Sequence, residues 1–189
     1  MPEAKVERWT ASDGIELAYH ELGRGRAVIL LHGLFSDADM NWIRFGHAAR
    51  IARDGFRVIM PDLRAHGLSG RPHEPEYYPT GVLARDLREL IDHLGLAEFD
   101  LGGFSLGART TVEGIGEGLR PRRAMLGGAG LEGLRHWQRR KHFFLEAIEL
   151  FDRVPRGDLA GAALGRERLV HLDRPHRLGP DQERVRPSR

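Results

Sequence analysis

Residues 99–107 have the sequence FDLGGFSLG and carry the strongest structural signal in the chain. The first six residues predict a buried strand, and the pattern Gly103-x-Ser105-x-Gly107 leads from it into a predicted helix. A nucleophile in such a sharp turn needs small neighbours, because its backbone is strained and its flanks pack closely. The alternative is a glycine-rich turn that merely joins strand to helix, and the context favours a nucleophile at Ser105.

Two further apolar strands are predicted upstream of this turn, over residues 27–31 and 56–60. Continuously apolar strands are typical of parallel sheets that are covered on both faces. The remaining predicted elements are a hairpin of strands 6–10 and 15–20, helices over 42–54, 80–94 and 137–152, and a short strand over 123–126. This alternation predicts an α/β fold with a doubly wound, mostly parallel sheet and right-handed crossovers.

The dipeptide His32-Gly33 follows the strand over 27–31 directly. Acyl transfer to a serine needs two N–H donors aimed at the same oxygen atom. One donor is predicted at Leu106, just after the nucleophile, and the other at Leu34, in the turn after His32-Gly33. We interpret His32 itself as a packing or hydrogen-bonding residue and not as a general base.

Residues 61–70 have the sequence PDLRAHGLSG and follow the strand over 56–60. Asp62 and His66 have the residue types of a catalytic acid and base. Loops rich in Asp, Gly and Ser at strand ends usually hold themselves together by hydrogen bonds from side chains to backbone. We therefore predict a structural role for both residues.

Taken together, the three segments resemble the α/β-hydrolase superfamily, in the branch of small esterases, non-haem haloperoxidases and C–C bond hydrolases. The matching residues stand in the family's order over about residues 10–130: His32-Gly33, then Asp62-x-Arg64-x-His66-Gly67-x-Ser69, then Gly103-x-Ser105-x-Gly107. The resemblance implies hydrolysis of an ester, or of a related acyl or C–C bond, through an acyl-enzyme on Ser105. It also implies oxyanion donors at Leu34 and Leu106, a small ester-like substrate, and no metal or organic cofactor. It argues against epoxide hydrolases and haloalkane dehalogenases, which place Asp where this chain has Ser105.

The acid and the base of the implied triad have no clear position in the sequence. In the family, the acid and then the histidine follow the nucleophile along the chain. The candidates are Glu132, Asp158, Asp173, His171 and His176. The base matters because a serine without one is a poor nucleophile.

The composition changes after about residue 153. Residues 1–153 hold the predicted hydrolase core, whereas residues 154–189 contain eight Arg, are rich in Pro and predict a loop or a disordered tail. Four explanations remain open. The chain is a truncated or frame-shifted hydrolase whose sheet lacks its last strands, or its tail folds atypically and brings His171 or His176 to Ser105. Alternatively, it is an inactive relative that serves as a small-molecule or partner-binding module, or a non-functional fragment.

Composition also bears on location and partners. The chain has no Cys, which excludes disulfides, thiolate metal sites and Cys nucleophiles and fits a reducing cytosol. The polar N-terminus does not resemble a secretory signal, and the longest aliphatic run, residues 27–31, is too short to span a bilayer. We therefore expect a soluble cytoplasmic protein without membrane insertion.

The charge pattern and the predicted sheet lead to two further expectations. The net charge of +2 comes from Arg residues interspersed with Asp and Glu, without the interleaved aromatics of a base-stacking surface, so no nucleic-acid partner is predicted. A sheet that stops after the strand over 123–126 has an unpaired edge, which predicts self-association and marginal solubility.

Overall fold

The computed structural model describes residues 3–130 of the chain. Strands and helices alternate along this part. They are β1 Lys5–Thr10, β2 Glu16–Gly23, β3 Arg26–Leu31, a π-helical turn Asp39–Ile43, α1 His47–Arg53, β4 Phe56–Pro61, a 3-10 turn Pro75–Tyr77, α2 Val82–His93, β5 Phe99–Phe104, α3 Leu106–Gly116 and β6 Ala124–Gly127. The predicted helix over 137–152 and the predicted boundary at residue 153 lie outside the described residues.

The described strands form one sheet in the order β1-β2-β4-β3-β5-β6. The first two strands make an antiparallel hairpin, and β2 is antiparallel to β4. From there the sheet is parallel, because β3 pairs in parallel with β4 and β5, and β5 pairs in parallel with β6. The prediction of a mostly parallel α/β sheet is confirmed.

Side chains from the two faces of this sheet enter two separate apolar clusters. On one face, Ile29, Ile59 and Leu101 pack with Leu87 and Leu90 of α2. On the other face, Leu30, Val58 and Met60 pack with Ala48 of α1. This is the arrangement expected of strands whose residues are apolar on both sides, and it holds the carboxyl ends of β3 and β5 rigidly side by side.

The helix predicted over residues 42–54 is interrupted in the structure. The π-helical turn Asp39–Ile43 precedes it, and α1 begins only at His47. Gly46 between them has φ 78°, a left-handed conformation that a glycine adopts without steric cost. The prediction of one continuous helix was wrong, because the spacing of apolar residues carries no information about this change of backbone conformation.

The outer edge of the sheet lies at β6, which pairs with β5 and with no other strand of the described part. Met125 and Leu126 of β6 are 52% and 40% exposed, and Phe104 at the end of β5 is 46% exposed. β6 itself carries no charged residue, whereas natural edge strands are usually protected by charges, bulges or proline.

We expect the purified full chain to self-associate through this edge. Replacing Met125 by lysine should shift the chain towards monomer, because a charge on an edge strand resists pairing with another strand. Sedimentation velocity over a range of concentrations measures the shift. Val6→Lys is the matched control, since Val6 is exposed on the opposite edge strand, β1, which already carries Lys5, Glu7 and Arg8. A wild-type chain that is monomeric at all concentrations would contradict the expectation.

Candidate functional site

Ser105 lies in the sharp turn that joins β5 to α3. Its backbone has φ 51° and ψ −106°, a conformation that non-glycine residues adopt rarely and at a cost. Its N–H donates to the carbonyl oxygen of Gly127 at 2.8 Å, which ties the turn to the end of β6. The serine is half-buried at the carboxyl edge of the parallel strands, where ligands of open α/β sheets bind.

The two glycines of the predicted motif make this turn possible. A Cβ atom on Gly103 would lie 2.5 Å from the backbone nitrogen of Ala108. A Cβ atom on Gly107 would lie 2.6 Å from the carbonyl carbon of Leu31 in β3. Both distances are far inside van der Waals contact, so the start of α3 packs directly on β5 and β3 only because these side chains are missing.

Leu106 is the first residue of α3, and its N–H has no acceptor within the helix. The first backbone hydrogen bond of the helix runs from the N–H of Arg109 to the carbonyl oxygen of Ser105, at 3.1 Å. The N–H groups before Arg109 therefore form the positive end of the helix dipole, next to the serine. This environment stabilises a developing negative charge.

The loop after β3 lies against the Ser105 turn. A Cβ atom on Gly33 would be 3.2 Å from Cδ1 of Phe104 and 3.6 Å from Cβ of Ser105. Leu34, the second predicted oxyanion donor, is the next residue along this loop and is half-buried. The structure thus brings the His32-Gly33 segment and the Ser105 segment together, although they are far apart in sequence.

The ring of His32 is fully buried, and hydrogen bonds engage both of its nitrogens. Nδ1 lies 2.8 Å from the carbonyl oxygen of Gly33, and Nε2 accepts the N–H of Leu63 at 2.9 Å. Since a carbonyl can only accept, Nδ1 carries the proton and the imidazole is neutral. Burial lowers the pKa of His32, and the hydrogen bond to Gly33 only partly opposes this. His32 therefore has the hydrogen-bonding role that we predicted for it, and no nitrogen remains to act as a base.

Asp62 joins two loops at this edge of the sheet. Its carboxylate accepts the N–H of Ala38 at 2.8 Å and the N–H of Leu68 at 2.9 Å, and it lies 3.2 Å from Nε2 of His20. Burial alone would raise the pKa of Asp62, but the hydrogen bonds from His20 and the two backbone groups outweigh it, so the pKa falls below its usual value. These contacts give Asp62 a structural role.

His66 is oriented by its own loop and is not paired with Asp62. Its Nδ1 lies 2.9 Å from the carbonyl oxygen of Arg64, and its ring centre lies 5.0 Å from that of His32. Asp62 and His66 thus both hydrogen-bond to backbone groups of this loop, in line with the structural role that we predicted for them.

Sequence reasoning missed the role of Arg64, whose side chain is 0% exposed. The guanidinium donates to both carboxylate oxygens of Asp86 at 2.8 Å, to Asp13 at 2.6 and 3.1 Å, and to the carbonyl oxygen of Tyr77 at 3.1 Å. Burial alone would lower the pKa of Arg64, but the bonds to Asp86 and Asp13 raise it. The network ties the β1–β2 turn, the loop after β4 and α2 to one another.

Sequence reasoning also missed Asn41, on the π-helical turn Asp39–Ile43. Its Oδ1 accepts the N–H of Gly33 at 2.8 Å. The sequence offers one signal for this contact, because the amide residue Asn41 follows a few positions after His32-Gly33, which stand at the end of a predicted strand. That signal does not show which backbone group the side chain reaches.

The candidate acids and bases Glu132, Asp158, Asp173, His171 and His176 lie outside the described residues. Within residues 3–130, no hydrogen bond links the Ser105 hydroxyl to a histidine side chain. In the same range, no three His, Asp or Glu side chains are grouped so that they could hold a metal ion. The described helices are also too short or too polar to cross a membrane.

Comparison with known proteins finds relatives over this part of the chain. The family model described as "alpha/beta hydrolase fold" matches residues 26–112. An epoxide hydrolase of Caballeronia sordidicola is 38% identical over 98 residues, which are 52% of this chain and 29% of that protein. A non-heme haloperoxidase of Rhodococcus erythropolis is 36% identical over 103 residues, which are 52% of this chain and 34% of that protein.

A solved structure agrees with these sequence matches. A mutant epoxide hydrolase of Vigna radiata superimposes with a TM-score of 0.59 and 27% sequence identity, over 67% of this chain and 39% of that chain. The matched region spans 29% and 34% of the two curated relatives named above. The sheet order, the strained serine turn and these matches together show that the described part of the chain has the α/β-hydrolase fold.

Proposed function

We propose that the chain acts as a serine hydrolase on an ester, or on a related acyl or C–C bond, with Ser105 as the nucleophile. The observation that carries the proposal is the strained backbone of Ser105, with φ 51°, at the N-terminus of α3. Strain of this kind persists only where the surrounding structure enforces it, and it clusters at functional sites. The turn presents the serine beside backbone donors that favour negative charge.

In this mechanism the Ser105 oxygen attacks the carbonyl carbon of the substrate while a base accepts the hydroxyl proton. The carbonyl oxygen becomes an oxyanion, which the N–H groups of Leu34 and Leu106 stabilise by about 3 to 4 kcal/mol each in comparable sites. Collapse of this intermediate expels the leaving group and leaves an acyl group on Ser105. Water then hydrolyses the acyl-enzyme. The proposed base is His171 or His176.

The named relatives include epoxide hydrolases, so epoxide opening is the rival reaction. Position 105 argues against it on chemical grounds. A serine that opens an epoxide forms an ether, which water does not cleave under mild conditions, whereas an acyl group on serine is a hydrolysable ester. A catalytic cycle through Ser105 therefore requires a substrate that leaves an acyl group.

The first test is covalent labelling of the full chain with a fluorophosphonate probe, read by intact mass. We expect one adduct on the wild-type chain and none on Ser105→Ala, because the probe reacts with an activated serine. Ser12→Ala is the matched control: it removes a serine on the β1–β2 turn and should leave labelling unchanged. A folded wild-type chain that stays unlabelled would contradict the proposal. Turnover of styrene oxide without turnover of a nitrophenyl ester would overturn the choice of acyl substrates.

A further inference from the structure

The loop that carries Leu34 is restrained on both sides of Gly33. The Gly33 carbonyl, which shares a peptide plane with the Leu34 N–H, is hydrogen-bonded to Nδ1 of His32 at 2.8 Å. The Gly33 N–H, in the preceding peptide plane, is hydrogen-bonded to Oδ1 of Asn41 at 2.8 Å. Both peptide planes around this glycine are therefore fixed by side chains, although glycine is the residue that permits the most backbone rotation.

Asn41 is itself held on a short, well-bonded turn. The N–H of Arg44 reaches back to the carbonyl oxygen of Asp39 at 2.8 Å, and the N–H of Asn41 donates to the carbonyl oxygen of Asp37 at 3.1 Å. The side chain of Arg44 also donates to the Asp39 carboxylate at 2.7 and 3.0 Å. Such π-helical turns are rare and often occur at functional sites. Here the turn aims Asn41 at the loop beside Ser105.

We propose that Asn41 is a positioning residue for the oxyanion site. By accepting the Gly33 N–H, it holds the loop in the one conformation that directs the Leu34 N–H at the carbonyl oxygen of the substrate. Asn41 need not touch the substrate for this role. The inference rests on the proposed function, because it assigns a purpose to the Leu34 donor of that mechanism.

The chemistry predicts where the effect of losing Asn41 should appear. A misdirected N–H group stabilises the transition state less but changes ground-state binding little, because the oxyanion exists only after attack. The loss should therefore lower kcat and leave KM close to its original value. A role limited to folding would instead lower the fraction of active protein and the thermal midpoint together.

The test compares labelling rates of Ser105 by the fluorophosphonate probe in the full chain, together with kcat and KM for a nitrophenyl ester. Asn41→Leu keeps the shape of the side chain but removes the acceptor. We expect both the labelling rate and kcat to fall about 10- to 100-fold. This is less than the effect of removing a whole oxyanion donor. Met40→Leu changes an exposed neighbour on the same turn and should stay close to wild type. Asn41→Ala replaces Asn41→Leu if the latter does not fold.

The outcomes separate this inference from the proposed function. A wild-type chain that does not label refutes the proposed function and, with it, the role of Asn41. A wild-type chain that labels, with an Asn41→Leu variant that labels equally fast, refutes only the role of Asn41. An Asn41→Leu variant in which kcat falls, with KM and the thermal midpoint near wild type, supports it.

Discussion

Replacing Arg64 by methionine is expected to lower the free energy of unfolding by about 3 to 5 kcal/mol, because it leaves carboxylates without their partner in a buried site. The Arg64 side chain is 0% exposed, and that of Asp86 is 7% exposed. Methionine fills most of the volume but donates no hydrogen bond. Arg85 remains beside both carboxylates, at 2.6 Å from Asp13 but only at 4.0 Å from Asp86. Asp86 is also the more buried of the two, so it carries most of the loss. Urea denaturation followed by circular dichroism measures the change.

Two further variants give this measurement its control. Arg44→Met removes an arginine that also pairs with a carboxylate, Asp39, but on the surface, and it should cost less than about 1 kcal/mol. The double variant Arg64→Met/Asp86→Leu removes both buried charges and should recover part of the stability, because an apolar pair needs no partner. A loss of less than about 1 kcal/mol in Arg64→Met would show that water reaches this network.

The destabilisation caused by Arg64→Met should also depend on pH, and the pKa of Asp86 determines the direction of this dependence. Burial raises the pKa of Asp86 above its usual value, and the bond to Arg64 opposes this only in part. Without Arg64 the pKa rises further, so the folded variant takes up a proton more readily than the unfolded chain. The protonated form needs no partner, and therefore the deficit relative to wild type should shrink as the pH falls from 7 towards 4.

Much of the fold could be predicted from local sequence, because each element shows its own pattern. The apolar run over residues 27–31 predicted a strand with both faces covered, and the apolar spacing over residues 80–94 predicted α2. The serine turn was predictable because Gly103 and Gly107 stand at fixed positions around Ser105. These signals depend on a few neighbouring residues, so a single sequence is enough to read them.

Contacts between distant segments could not be predicted in the same way. Asp13 lies in the turn of the β1–β2 hairpin, and its neighbours in sequence do not indicate that its carboxylate binds Arg64, 51 positions away. Asn41 reaches Gly33 because a π-helical turn intervenes, and no apolar spacing marks such a turn. Polar partners of this kind are chosen by the three-dimensional fold, so a sequence shows the residue types but not the pairs.

A second large effect is expected at Gly107, where alanine should destabilise the chain by about 3 kcal/mol, the upper end for an overpacked site. The added Cβ would lie 2.6 Å from the carbonyl carbon and 2.7 Å from the Cβ of Leu31, which belongs to the buried strand β3. Neither neighbour can rotate away, because both positions are fixed by the backbone of the sheet. The start of α3 must therefore move, and the Ser105 turn moves with it.

The same substitution at Gly116 separates this steric effect from helix propensity. Gly116 lies in the same helix, and a Cβ added there meets nothing within 4 Å. Gly116→Ala should therefore raise stability, by up to about 1 kcal/mol, because alanine loses less backbone entropy than glycine. Urea denaturation measures the stability of both variants, and fluorophosphonate labelling measures the reactivity of Ser105. We expect Gly107→Ala to be destabilised and unlabelled, and Gly116→Ala to be labelled like wild type. If the two variants were equally stable, α3 would not be packed on β3 as closely as the structure has it, and the strain at Ser105 would need another cause.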